Sequence, residues 1–261
     1  LNLDKRDVAA SAVSCMVTAN YRVLEKGDGI GEIKVKDLTL DDGLSAQYVG
    51  NITMESKSSP GSHSIRLKSG FADADFSGSE TIASMVRDLQ DISVKRHLPS
   101  LFPASAPPQT DSTGDYSLSL KMHDSRKVLP FIKPGLYIAD STNVQLKING
   151  NGNWLATVNS PRLALGRNYI KGSDIRIDNE GDRLNAVLNN AEMRLAGSVL
   201  HKTLLTATAR RDSVNVLLHC DGDGAGDPHG DLKISGSFSR DGNDSLSIAI
   251  EPRSSEFYSE G

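Results

Sequence analysis

Large rings, thiols and long apolar runs are all scarce in this chain, and each shortage removes a class of protein. Aromatic residues make up only 5% of the 261 positions, and Trp154 is the single tryptophan. A compact core built on big rings is therefore not expected, and small and aliphatic side chains must do the packing. The two cysteines, Cys15 and Cys220, are too few for a disulfide framework and lack the CxxC spacing of a zinc or redox centre. Two readings stay open for them: one Cys15–Cys220 bridge or, more simply, two free thiols buried in strands. No apolar run approaches the roughly 18–20 residues that cross a bilayer as a helix. Charge of one sign is missing too. The 29 basic and 33 acidic residues are mixed along the chain, so nucleic acid meets no basic stripe.

What is present points to a folded β protein. Hydrophobic residues at 38%, with 23 Gly besides, reach the usual globular level and argue against disorder throughout. The length suits one large β domain or two ordinary ones. The opening "LNLDKRDVAA" has neither an initiator Met nor a signal-like apolar run, and a strand pattern follows almost at once. This reads as a mature chain or a piece of a longer one.

Period-2 alternation dominates. Val13, Cys15, Val17, Ala19, Tyr21 and Val23 share one face of a predicted strand, and Leu44, Ala46, Tyr48, Gly50, Ile52 and Met54 repeat the pattern. The same rhythm returns in Val144–Ile148, Leu184–Leu188, Val214–Leu218, Leu232–Phe238 and Leu246–Ile250. One apolar and one polar face is the mark of antiparallel strands wetted on one side. Turn signals separate the strands at Asn149-Gly150, Glu180-Gly181-Asp182 and Asp241-Gly242, where positive φ is tolerated. A long meander is expected.

One segment departs from this rhythm. In "TIASMVRDLQDISVK", Thr81 to Lys95, apolar residues at 82, 85, 86, 89 and 92 have helical spacing, with Ser79 as the predicted N-cap and Pro99 as the stop. The polar face is mixed in charge, which favours packing on the sheet over a membrane-surface role. The Pro-rich "PASAPPQTDSTG" follows. It divides the chain into an N-terminal β segment at 1–102 with a helix near 80–96, a linker or loop at 103–114, and a C-terminal segment at 115–261.

The stretch "HCDGDGAGDPHGD", His219 to Asp231, concentrates two His, one Cys and four Asp. An EF-hand register puts Asp221 and Asp223 at positions 1 and 3, but it leaves Ala225 at 5 and Leu232 where a bidentate Glu is needed. Adjacent strand residues such as His219 and Cys220 point to opposite faces, which defeats a zinc site. A solvated hairpin loop is the better reading, and no metal or cofactor is expected. "GDGIGE", with Gly27, Gly29 and Gly31, leads into a strand, not a helix, so it reads as a turn and not a phosphate cradle. His63, His97, His123 and His201 lie apart from partners in sequence, and surface or cap roles are expected for them. Asn51-Ile52-Thr53 and Asn243-Asp244-Ser245 are glycosylation sequons by pattern only. With no nucleophile elbow, HExxH or deaminase signature, nothing supports an enzyme.

Two stretches carry a family likeness. "GEIKVKDLTLDDGLSAQYVGNITMES" with "HSIRLKSGFADADFSGSETIASMVRDL", and then "PFIKPGLYIADSTNVQLKINGNGNWLATVNSPRLALGRNYIKGSDIRIDNEGDRLNAVLNNAEMRL", resemble the TamB family of periplasmic bridge proteins in its Bacteroidetes form. The likeness spans roughly Gly29 to Glu251 and lies in a rhythm of strands and turns, without invariant catalytic side chains. It implies an AsmA-like protein, anchored in the inner membrane by an N-terminal helix and crossing the periplasm. Its strands would curl into an open "β-taco" groove linked to phospholipid movement and outer-membrane assembly. The membrane anchor and the terminal domain that meets an outer-membrane barrel partner are not among these residues, so the resemblance implies an interior or partial segment.

The residues make the same architecture reasonable independently. A long sheet with one apolar face and little helix must cover that face, and curling does so. The expected fold is mostly β: a long curled antiparallel meander forming a groove, with one amphipathic helix. Candidate lipid-facing residues in the second half are Ile175, Ile177, Leu184, Leu188, Val214, Val216, Leu218, Leu232, Ile234, Ile248 and Ile250. A closed sandwich or barrel core is the alternative use of the same side chains. The function expected is shielding of phospholipid acyl chains between the two membranes, with no nucleic-acid partner. A scaffold or adhesin segment that binds proteins through sheet edges is the second reading, and a hydrolase on the Asp-rich loop the third.

Overall fold

Alternating side chains make strands, and in the computed structural model almost every strand pairs with its neighbour in sequence. The structure describes residues 12–23, 29–43, 45–102, 113–179, 182–224, 226–242 and 244–258. The first half contributes β1 (Ala12–Val23), β2 (Gly29–Asp41), β3 (Ala46–Ser59), β4 (Ser62–Ser69) and β5 (Ala72–Gly78), followed by α1 (Ile82–Gln90). Next come β6 (Tyr116–Met122), α2 (Leu129–Ile132), β7 (Leu136–Ile138), β8 (Asn143–Ile148), β9 (Trp154–Leu165) and β10 (Asn168–Asp178). The last are β11 (Leu184–Leu195), β12 (Ser198–Arg210), β13 (Ser213–Cys220), β14 (His229–Arg240), β15 (Leu246–Pro252) and β16 (Glu256–Tyr258). All belong to one 16-stranded antiparallel sheet, with β7 paired to β9 and β16 to β14 beside the main path. The sheet stays open. Among the described residues β1 and β15 are its two ends and do not pair with each other, so the closed-barrel alternative falls.

Residues 103–112 lie outside the described residues, but the strands on either side of them settle how the halves relate. β5 and β6 pair along their whole length, from Ala72–Met122 to Gly78–Tyr116. The described residues of the segments 1–102 and 115–261 thus share one sheet, and one hydrophobic cluster joins Phe76 and Met85 to Tyr116, Leu146, Ile148 and Trp154.

α1 supplies most of the second layer. Its N-cap is Thr81, whose Oγ1 accepts from the Ser84 amide at 3.1 Å, and not Ser79, whose hydroxyl accepts from the Asp115 amide instead. The helix continues through a π turn, Asp91–Lys95, and gives way to a 3₁₀ turn at Pro99–Leu101. Met85, Asp88 and Ile92 are buried, whereas Ile82 and Val86 are exposed at 40% and 59%. The buried stripe is therefore narrower than the spacing of apolar residues predicts. It includes Asp88 because that carboxylate accepts from the sheet.

Beyond α1 the chain reaches strands far along the sheet. The Ser100 amide and hydroxyl donate to Asp212, at 2.8 and 3.0 Å, and Arg240 Nε donates to the Ser100 carbonyl. From Met85 to Ser100 a helical path covers about 22 Å at about 1.5 Å per residue. The strands from β5 to β13, laid flat about 4.8 Å apart, would extend about 34 Å. The sheet must therefore curl around the face that carries the helix.

Three sequence expectations shift locally. In β3, Val49 is 1% exposed and Tyr48 is 55% exposed, the reverse of simple alternation, because Gly50 at φ +98 switches the faces there. At two of the predicted turns positive φ falls on Gly152 and Asp244, not on Gly150 or Gly242. "GDGIGE" contributes Gly29 and Gly31 to β2 itself. Gly31, at φ +141, passes so close to the Asn20 carbonyl that a Cβ would lie 2.0 Å from it.

Candidate functional site

Directly paired residues of neighbouring strands project to the same side of a sheet. Applied along the register, this gives an unbroken aliphatic row. It starts with Ala19, Ile33, Met54, Leu67, Ala74 and Leu120, each paired to the next, on β1 to β6. It continues through Val144, Val158, Ile175, Leu188, Leu205, Leu218 and Leu232, on β8 to β14. From Ile33 to Leu232 every member is half-buried, neither sealed nor fully exposed. A second row runs beside it through Ile65, Phe76, Leu118, Leu146 and Ala156, then Ile177, Ala186, Ala207, Val216 and Ile234. The opposite face is mainly polar; Glu55, Arg66, Asp75, Ser119 and Gln145 form one of its rows.

The predicted lining residues all lie on the aliphatic face. Ile175, Leu188, Leu218 and Leu232 belong to the first row, and Ile177, Val216 and Ile234 to the second. Leu184, Val214 and Ile250 line up through Ala209 and Gly236, and Ile248 pairs with Phe238. They are not equally available. Ile177 and Leu184 pack against the α1 cluster, and Leu218 packs with Met193, Leu200 and Cys220. At the β15 end, Ile248 and Ile250 are 56% and 70% exposed. The candidate lining leaves out other members of the row, Met54 and Leu67 in the first half and Leu120, Val144 and Val158 in the second, although the alternation places Met54 and Val144 at apolar strand positions. The alternation in "SIRLKSG" and "YSLSLKM" was the signal for Leu67 and Leu120.

Two borders flank these rows. On one side lies α1. On the other, polar side chains on the aliphatic face are sunk to near-complete burial, Thr142, Ser160 and Ser173, then Asn190 and Thr203, and the line ends at the buried Cys220. The Thr142 and Ser160 hydroxyls share a hydrogen bond at 2.6 Å, and Ser173 donates to the Ser160 carbonyl. Just past this line Gly172 and Lys202 adopt φ +57 and +48 within their strands, which switches the alternation and brings Ile170, Met193 and Leu200 to the covered side. Under the start of α1, a cavity of about 120 Å³ between Tyr21, Ser56, Ile65, Phe76 and Ile82 extends the apolar surface.

The Asp-rich stretch is a hairpin connection between β13 and β14. His219 bonds to Asp231 at 2.7 Å and to Asp221 at 3.1 Å. The Asp231 contact raises the imidazole above the ordinary histidine range, with Asp221 adding to it, and the same bond holds the Asp231 carboxyl low. Cys220 is buried on the other face, and its thiol donates to the Pro228 carbonyl at 3.3 Å. Among the described residues no three His, Cys, Asp or Glu side chains converge as a metal site. Both cysteines are free, and Cys15 is exposed, not buried as the free-thiol reading expected.

The remaining histidines are less isolated than their spacing suggests. His123 pairs with Asp73 at 3.1 Å and His63 with Ser58 at 2.9 Å, while His201 lies 3.8 Å from Asp223. His97 is only 2% exposed, so a surface role fails for it; burial, helped by Arg96, holds its imidazole low. Asn51 is exposed with its side-chain oxygen accepting from the Asp37 amide, and Asn243 lies outside the described residues. No family model matches the chain, and no curated protein or solved structure matches it either.

Proposed function

We propose that this chain is a segment of a periplasmic envelope-bridging protein whose curled sheet shields phospholipid acyl chains on their way between the inner and outer membranes. The observation that carries the proposal is the aliphatic row from Ala19 to Leu232, continuous through successive strands and half-buried for most of its length. An ordinary core would sink such residues out of water, and an ordinary surface would not line them up. A sixteen-carbon acyl chain, at about 0.8 kcal/mol per CH₂, costs on the order of 12 kcal/mol to expose to water. A row of near-equal aliphatic positions offsets that cost at every step without a deep well to trap the cargo, and the headgroup stays in water along the open side. The strand-and-turn resemblance to TamB proteins supports the same reading, including a supporting role in outer-membrane assembly.

The test is mass spectrometry of organic extracts from the purified protein, paired with competition by a fluorescent acyl chain. Co-purified phospholipid that the probe displaces is the expected result. A protein that carries no lipid and does not take up the probe sinks the proposal.

A second reading rests on the sheet's ends. Val13, Met16, Val17 and Val23 on β1 are 58–70% exposed, and Leu246, Ile248 and Ile250 on β15 are 40–70% exposed. Strand edges with apolar side chains recruit further strands, which suits a scaffold that binds protein partners by edge pairing.

A further inference from the structure

The face opposite the aliphatic rows holds a cavity of different chemistry. Arg183, Arg210 and Arg211 line a space of about 380 Å³ together with Thr208, Ser213 and Asn215. The fold brings these residues together from two adjacent connections. Arg183 stands at the entry to β11. Arg210 ends β12 and pairs with Ser213, and Thr208 pairs with Asn215 one step further in.

Arg211 and Asp212 make the turn between β12 and β13 with φ of +48 and +62, unusual for residues with side chains. The tail of α1 fixes that turn. Asp212 gives its carboxylate to Ser100, and its amide donates to the His97 carbonyl at 2.9 Å. The one acidic side chain in the turn is therefore engaged with the helix tail, while Arg211 lines the cavity.

Charge at the site is not balanced. Arg210 pairs with Asp182. Arg183 and Arg211 form no ion pair with any described residue. Asp182 is paired with Arg210, and Asp212 keeps its charge but is turned to Ser100, so three guanidinium groups against two carboxylates leave one net positive charge around hydroxyl and amide groups. A guanidinium offers a rigid fork of N–H donors that matches oxyanions, and a carboxylate occupies one such fork. The two forks left free, on Arg183 and Arg211, and the Thr208 and Ser213 hydroxyls make four donor groups, one for each oxygen of a tetrahedral anion.

We propose that this cavity is a binding site for a phosphate group, either free or as the headgroup of a lipid. The site is independent of the acyl-chain reading, because its residues project from the polar face.

The experiment titrates the full chain with inorganic phosphate by calorimetry and NMR. In parallel it measures flotation with phosphatidylcholine vesicles with and without phosphatidic acid. The variant Arg183→Gln/Arg211→Gln removes the two unpaired cations and keeps the Arg210–Asp182 pair, and circular dichroism checks its fold. Saturable phosphate binding that weakens at least about tenfold in the variant, and also weakens with added salt, supports a site for the free anion. Flotation only with phosphatidic acid, lost in the variant, supports the headgroup as the source. Should the variant not fold, amide shifts confined to Arg183, Arg211, Ser213 and Asn215 on adding phosphate to the unaltered protein support the site, and shifts elsewhere overturn it. No response to either probe, or equal binding by a folded variant, also overturns it. Acyl-probe uptake is unchanged in the folded variant whichever way this falls, so the two readings fail separately.

Discussion

The phenol of Tyr116 on β6 donates to the carboxylate of Asp88 on α1 at 2.8 Å, and the Gly114 amide reaches the same carboxylate at 3.2 Å. This contact ties the helix to the first strand after the Pro-rich segment, so the second layer of the fold depends on a polar group placed inside an apolar cluster. Burial and the neighbouring carboxylate both push the Tyr116 phenol well above its ordinary range. Tyr116→Phe keeps the ring against Phe76 but leaves Asp88 one partner short. It is expected to cost about 1–3 kcal/mol in urea unfolding, the usual cost of stranding a buried acceptor. A loss near zero would mean that Asp88 finds water and that α1 is held by its apolar face alone.

A charge placed on the aliphatic row should act differently from one placed a single residue away. Leu188 belongs to the first row, while its neighbour Val187 pairs with Arg176 and Thr206 on the polar face. Leu188→Asp and Val216→Asp are expected to weaken uptake of a fluorescent acyl chain at least about tenfold, about 1.4 kcal/mol. Val187→Asp leaves uptake intact. Folded Leu188→Asp and Val216→Asp proteins that bind the probe as well as the unaltered chain would rule out the aliphatic face as the conduit.

The strand rhythm was open to sequence reasoning because period-2 alternation states which side chains share a face. Ile175, Leu188, Leu218 and Leu232 could thus be grouped before their pairing was visible. Local switches of face were not legible, because they depend on single residues. Gly50, Gly172 and Lys202 take positive φ inside strands, and nothing distinguishes a lysine that does so from any other. The buried use of Asp88 was hidden for another reason: its partner Tyr116 is 28 residues away, beyond a proline-rich stretch. The arginine cavity stayed invisible because its turn carries no Gly or Asn. Arg211 and Asp212 hold positive φ there because the α1 tail binds the turn from the other side of the sheet.

The His219–Asp231 pair gives the β13–β14 connection a defined pH response. The imidazole titrates above the ordinary value, chiefly through its bond to Asp231, and the Asp231 carboxyl titrates below its own. A raised histidine contributes stability below its unfolded value and loses it as pH rises through the folded one. A depressed carboxyl contributes above its unfolded value and loses it as pH falls through the folded one. The pair therefore contributes in full between about pH 4 and about pH 6.5. NMR titration of the imidazole should show the elevated midpoint, and Asp231→Asn should lower it. An unaltered midpoint in Asp231→Asn would assign the shift to Asp221 instead.

The two thiols should separate by rate. Cys15 is exposed on the edge strand β1, whereas Cys220 is 1% exposed with its thiol raised by burial, so little of it is the reactive thiolate. Labelling with a maleimide is expected to be fast at Cys15 and slow at Cys220. Phe257 packs against the cluster that contains Cys220, and it is held there by pairing of β16 with β14 at Gly230. Gly230 sits at φ +112, and a Cβ there would lie 1.9 Å from the Glu256 carbonyl. Gly230→Ala must therefore lift β16 away, at a cost of about 1–3 kcal/mol. The slow phase should then quicken by about 5–150-fold as the local opening becomes more frequent. If the Cys220 rate is the same in Gly230→Ala, the cover over that thiol comes from Met193 and Leu200 alone, and β16 is no part of it.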